Sequence, residues 1–299
     1  MTEFLIGMHN KIDFSKYQRD YISTEFTGIE FCNFSSCEEI QEIAEFTKKN
    51  NIKVGIHFPL NRNSYKYRDP HLLSLDEQER KIAMQALIAE INVERSINAE
   101  YILIHFPKPM ILDKRLNWDK CNFTIADKPI DEDDYPFKLF KNNTFELMCQ
   151  LTQLSDESGI QIVLEIELLN KYLYEGEYLK ELLNQFSNIK ICLDSARLNV
   201  QSKIDSNFDC MKFVKEMVPY TYLVHLSNIK VSDIIEQGHH PVLKSLDINS
   251  GWFDIDAFLS IISKTKKDIK ILYEHRSDII SDIELNECYE WVSGYFKTV

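Results

Sequence analysis

The sequence predicts an α/β chain folded as a single (β/α)8 TIM barrel, and three observations carry that expectation. Eight short apolar runs recur along the 299 residues. Each ends on an acid or an imidazole: His9, Glu30, His57, His105, Glu165, Asp194, His225 and Glu274. Amphipathic stretches with helical spacing alternate with them, the pattern of βα units around a parallel sheet. In a barrel of this kind the strands bury apolar side chains, and their last residues meet at one rim where loops build a site.

The strands are expected at 4–9, 28–34, 52–60, 101–106, 161–167, 190–194, 222–226 and 270–275. Most are almost continuously hydrophobic, as strands covered on both faces must be. The first helix is expected at 36–46, where Ser36 can cap and acids follow before an apolar spacing of three to four. Further helices are expected at 74–99, 143–157, 176–186, 210–218, 254–263 and 281–296. Residues 107–134 form one connection too long for a turn. On a barrel rim such an insertion is a lid, a contact in a homo-oligomer, or a solvated excursion.

Composition narrows the classes. A formal charge of −13 repels a phosphate backbone, so nucleic acid is not an expected partner. Seven cysteines without a Cys-x-x-Cys pair read as reduced thiols and a cytoplasmic address, which makes the match Asn122-Phe123-Thr124 to a glycosylation acceptor accidental. The N-terminus lacks the basic start and small-residue cleavage site of a signal peptide, and no apolar run has the roughly 20 residues that span a bilayer. No Gly-x-Gly-x-x-Gly, P-loop or Gly-x-Ser-x-Gly element is present.

Glu165, Asp194, His225 and Glu274 follow similar lengths of strand in the last four βα units, so they are expected at matched depth around one point. Three carboxylates and an imidazole suit a divalent Mn, Co, Mg or Zn ion. Glu167, two residues beyond Glu165, faces the same way and is the alternative ligand. The tripeptide His-Phe-Pro closes two successive strands at His57 and His105. These imidazoles hold either a second metal, with Glu165 as bridge, or a substrate. His9 and Glu30 are candidates for lining the substrate pocket. Arg197 either holds a substrate anion or pairs with a neighbouring acid.

The strings Ile-Val-Leu-Glu165, Ile-Cys-Leu-Asp194-Ser-Ala-Arg197, Val-His225-Leu-Ser-Asn228, His240-Pro-Val-Leu with Gly251-Trp-Phe-Asp254, and Leu-Tyr-Glu274 occur in this order. Together they resemble the xylose isomerase-like barrel superfamily, which groups sugar isomerases and epimerases with endonuclease IV. In the ketose 3-epimerase branch the resemblance implies one metal on Glu165, Asp194, His225 and Glu274. The two glutamates are then the acid/base pair acting next to a carbonyl through an ene-diolate. Glu30, His57 and Arg276 would orient substrate hydroxyls, with His240 and Asn228 at the substrate side. Asn228 departs from the acid often found there, because an amide cannot serve as an anionic ligand.

In the endonuclease IV branch the resemblance implies metals also on His57 and His105. Arg197 replaces a histidine of that branch's third metal set, and Gly238 replaces its aspartate. The expected function is therefore a metal-dependent isomerase or epimerase of a small sugar-like substrate. The alternatives are a two-metal phosphodiester hydrolase and a metal-binding barrel without turnover.

Overall fold

The computed structural model describes residues 1–22, 24–118, 128–266 and 268–297. Eight parallel strands form the closed barrel that the sequence predicts. They are β1 (Glu3–His9), β2 (Gly28–Cys32), β3 (Lys53–His57), β4 (Ala99–Phe106), β5 (Gln161–Ile166), β6 (Lys190–Asp194), β7 (Thr221–Leu226) and β8 (Lys270–Tyr273). Neighbours around the ring are neighbours in sequence, and β1 follows β8. The helices of the intervening segments are α1 (Cys37–Asn50), α2 (Glu77–Ser96), α3 (Phe137–Ser158), α4 (Tyr178–Gln185), α5 (Ser195–Ile204), α6 (Cys210–Met217), α7 (Ile255–Thr265) and α8 (Asp282–Gly294). No described helix is long and apolar enough to cross a membrane.

Contacts group the chain into two compact units. The first holds Met1–Gly7, Asp13–Thr27 and Cys192–Val299, and the second holds Met8–Ile12 and Gly28–Ile191.

In the second unit, β2, β3, β4 and β5 pair in parallel, and the register sets His105 opposite Glu165 and His57 opposite Leu103. The core is formed by the apolar residues of these strands, among them Ile29, Phe31, Ile56, Ile102, Leu103 and Leu164. Gly55 in β3 has a positional reason. A Cβ there would collide with the Tyr101 ring, whose hydroxyl reaches past it to donate 2.9 Å to Glu30 Oε2. Helix α1 begins as its sequence predicts: Ser36 and Glu39 form a reciprocal capping box. Asn51 then ends it in the left-handed conformation.

Helix α3 starts at Phe137, six residues before the expected 143. Its added turns carry Phe137, Leu139 and Phe140, of which Phe140 is fully buried, and Asn143 is buried with its amide donating 2.7 Å to the Tyr135 hydroxyl. The long connection 107–134 carries a short parallel pair, Ile111–Leu112 with Ile130–Asp131. It is anchored to the segment after β5: Arg115 joins Glu175 at 2.7 Å and Tyr174 at 2.9 Å, and Lys171 joins Glu132 at 2.5 Å. Residues 119–127 of that connection, including Asn122-Phe123-Thr124, lie outside the described residues.

In the first unit, β8 pairs with β1 and β7, with Leu272 opposite His225. Helix α5 escaped the periodicity reading because its buried face is partly polar. Asn199 on that face donates to the carbonyls of Ile229 (2.8 Å) and Gly251 (3.1 Å). A hairpin of Asn228–Val231 and Ile235–His240 follows β7. Gly251, at φ +99°, closes against the Val231 carbonyl where any Cβ would clash. Segment 13–22 is a short α-turn, Phe14–Lys16, continued by the π-helical Tyr17–Ile22.

Candidate metal centre

In the second unit the two His-Phe-Pro tripeptides deliver their imidazoles to one carboxylate. His57 Nε2 and His105 Nε2 each lie 3.3 Å from Glu165 Oε2, and the rings meet edge-on with centroids 4.7 Å apart. All three side chains are buried. Their ligand atoms lie within 4.8 Å of one another. The outward nitrogens are engaged: His57 Nδ1 is 2.8 Å from the Phe58 carbonyl, and His105 Nδ1 is 2.7 Å from Asp69 Oδ1. A carbonyl can only accept, so His57 carries its proton on Nδ1 and turns Nε2 inward. Between these nitrogens and a carboxylate oxygen, a proton or a cation must sit. Burial opposes a charged His57, but Cys32 and Glu165 outweigh it and raise its pKa.

Glu165 and Glu167 take different roles. Glu167 Oε2 is 2.7 Å from the Lys108 ammonium, and its Oε1 lies 3.5 Å from His105 Nδ1, behind the ring rather than in front of it. Lys108 also reaches Asp69 Oδ2 at 2.8 Å. Burial opposes the charge on Asp69, yet His105 and Lys108 hold its carboxyl well below the usual carboxylate range. Asp69 belongs to no strand, so the run pattern gave no signal for it. Cys32, at the end of β2, was missed for the same kind of reason: a cysteine closes that run unobtrusively. Burial raises a thiol's pKa, but the imidazoles of His57 and His9 reverse this and bring Cys32 down to about 6.

In the first unit, Asp194, His225 and Glu274 sit at or just past the ends of β6, β7 and β8. His225 Nδ1 is 3.4 Å from Glu274 Oε2, and ligand atoms of Asp194 and His225 lie within 4.8 Å of each other. His225 is fully buried, while the Glu274 side chain keeps 12% of its surface accessible. Asp194 Oδ1 caps α5 by accepting from Ala196 N (2.6 Å) and Arg197 N (3.0 Å). The Ser195 hydroxyl ties β7 in place by donating 3.2 Å to the His225 carbonyl and 2.5 Å to the Ser227 carbonyl. Lys16, which no motif marks, donates 3.1 Å to the His275 carbonyl. Burial lowers the Lys16 pKa, opposed by Asp20, Asp13 and Glu274.

The remaining candidates divide. Glu30 accepts from Tyr101, and His9 is exposed at the end of β1. Arg197 Nε stands 4.0 Å from Asp194 Oδ2. Asn228 Oδ1 accepts from Ile229 N (2.9 Å) and Phe253 N (3.0 Å), and its amide donates to the Phe253 carbonyl (3.4 Å). Its side chain thus braces the β7 loop. His240 Nδ1 is 2.7 Å from the Pro241 carbonyl, with its ring against Trp252. Arg276 is exposed and paired with Asp278 at 2.8 Å.

Imidazole nitrogens and carboxylate oxygens are the donor types that Zn, Mn and Co accept, so both sets suit a divalent cation. No curated protein matches the sequence. Among solved structures, a D-tagatose 3-epimerase-like protein is 15% identical, with TM-score 0.63 over 99% of this chain and 100% of that one. IOLI protein with a binding zinc atom is 12% identical, with TM-score 0.64 over 98% of each chain. D-psicose 3-epimerase with D-tagatose from Clostridium cellulolyticum H10 is 12% identical, with TM-score 0.58 over 99% and 100%. At such identities the likeness is one of fold. A family model described as xylose isomerase-like TIM barrel matches residues 21–291. The chain therefore belongs to the xylose isomerase-like TIM barrel family.

Proposed function

We propose that this protein is a divalent-metal-dependent isomerase or epimerase acting on a small sugar or related polyhydroxy carbonyl compound. The observation that carries the reading is the pairing of buried His225 with partly accessible Glu274 at 3.4 Å, beside Asp194. It combines cation ligands with a carboxylate that a substrate can meet. The resemblance to the ketose 3-epimerase branch assigns Glu165 to the same ligand set. A bound divalent ion would supply Lewis-acid stabilisation of the oxyanion formed when a carbon next to a carbonyl is deprotonated.

In this reading Glu274 and Glu165 are the acid/base pair. One carboxylate takes the proton from carbon, and the other returns a proton to the opposite face or to the neighbouring carbon. His225, held through its strand by the Ser195 hydroxyl, keeps the Glu274 carboxylate oriented. The named functions of several structural neighbours, among them 3-epimerases, support the class and leave the substrate open.

Incubation with candidate ketoses in deuterated water tests the reading, because proton abstraction at carbon must wash in label. Turnover without label at the reacting carbon would remove it. A second reading, hydrolysis on two metals, is favoured by the His57, His105 and Glu165 set. Metal analysis of protein purified without chelator separates them. One equivalent of Mn or Co supports the isomerase, whereas two equivalents of zinc with His57 and His105 as ligands support the hydrolase.

A further inference from the structure

The two imidazoles that face Glu165 are fixed from behind in different ways. His57 is held by the carbonyl of the next residue, a local device. His105 is held by Asp69, 36 positions away in the segment after β3. Asp69 is itself gripped by Lys108, which lies three residues beyond His105 and also binds Glu167. The backbone closes the same link, since Leu73 N donates 2.8 Å to the Lys108 carbonyl. His105, Asp69, Lys108 and Glu167 are all buried, with 3%, 6%, 5% and 6% of their surface exposed.

A buried lysine between two buried carboxylates cancels only one of their charges. With Glu165 included, three carboxylates and one ammonium stand around the pair of imidazoles, an excess of acidic groups that suits a cation. An imidazole binds a cation through a lone pair only when its other nitrogen holds the proton, and a carboxylate behind the ring both fixes that tautomer and raises the ligand's basicity.

We propose that Asp69, clamped by Lys108 and Glu167, is a positioning residue. It holds the His105 Nδ1 proton and turns Nε2 toward Glu165, so that the His57, His105 and Glu165 set is preformed for a cation. The inference rests on reading that set as cation-binding. It adds that a rim segment with no ligand of its own controls it.

The test uses the full chain, Zn2+ or Co2+ alone as probe, and the variants Asp69→Ala and Asp69→Asn. Circular dichroism confirms that both variants are folded. In calorimetric titration, Asp69→Ala weakens the uptake that depends on His57 and His105 by about ten- to hundredfold. Asp69→Asn, which keeps an oxygen to accept the proton, recovers a large part of that loss. Uptake that depends on Asp194, His225 and Glu274 stays within about twofold of wild type, because Asp69 supports none of these ligands.

Nitrogen-15 spectra of labelled histidines read the tautomer directly. The His105 resonances shift in Asp69→Ala while those of His57 stay in place. The proposal is overturned if either the cation affinity or the His105 resonances are indifferent to Asp69→Ala. If the wild-type chain takes up no cation at His57 and His105 and yet the His105 spectrum follows Asp69, the cation reading of the set fails. The positioning of His105 then stands by itself.

Discussion

The two acid and imidazole sets differ in how their side chains are held. In the set of His57, His105 and Glu165, the outward nitrogen of each ring is engaged and every member is buried. In the set of Asp194, His225 and Glu274, one carboxylate doubles as a helix cap and another remains partly accessible. The first arrangement suits a fixed occupant, because moving any member would expose a buried charge to a medium that solvates it poorly. The second suits chemistry, because a base must reach a substrate proton. The proposed acid/base pair draws one carboxylate from each: Glu165 is held within the buried set, and Glu274 is the carboxylate that stays partly accessible.

Three perturbations break or sharpen the contrast, beginning with the largest. Glu274→Gln removes the accessible carboxylate while keeping its size. Activity should fall by about 100- to 10,000-fold, the usual worth of a positioned acid or base, with the circular dichroism spectrum unchanged. Normal turnover in this variant would show that proton transfer lies elsewhere, and the two regions would lose their distinction.

Lys108→Met tests the rigidity of the buried network. Removing the ammonium leaves Asp69 and Glu167 without their shared counter-charge, and chemical denaturation should show a loss of about 3–5 kcal/mol. A loss below about 1 kcal/mol would mean that the network is solvated after all, as surface ion pairs are.

The smallest effect concerns a carboxylate without either role. Glu94 on α2 is fully buried, and neither of its oxygens has a hydrogen-bond partner. Burial raises its pKa well above the usual carboxylate value, with Glu90 adding to the shift. The folded chain therefore keeps this proton where the unfolded chain releases it. Its contribution to stability is complete below the unfolded carboxyl pKa and is lost as pH rises toward the folded one. Relative to Glu94→Gln, the wild-type chain should lose about 1.4 kcal/mol per pH unit above the mid-fours. Parallel stability curves for the two proteins would contradict the assignment of a neutral Glu94.

Much of the barrel was legible because apolar runs and caps are local signals. Ser36 caps α1 as the sequence suggests, and the structure adds the same kind of capping box at α8 with Ser281 and Glu284. The strand-ending residues were legible too, since a polar group closing an apolar run stands out. Signals were absent where burial is achieved through hydrogen bonds. Helix α5 hides a polar face satisfied by distant carbonyls. The choice between Glu165 and Glu167 was open in sequence, because side chains two apart on a strand share a direction. Their partners distinguish them: the two Nε2 atoms on one, and Lys108 on the other.

By itself the sequence determined the fold class and the residue types delivered by each strand, because hydrophobic periodicity and capping depend on neighbours within a few positions. Only the tertiary structure decided which of those groups are braced and by what. Asp69, Lys108 and Lys16 carry no pattern of their own. Their roles depend on contacts with residues far along the chain, and such contacts exist only once the strands have paired and their loops have been drawn together.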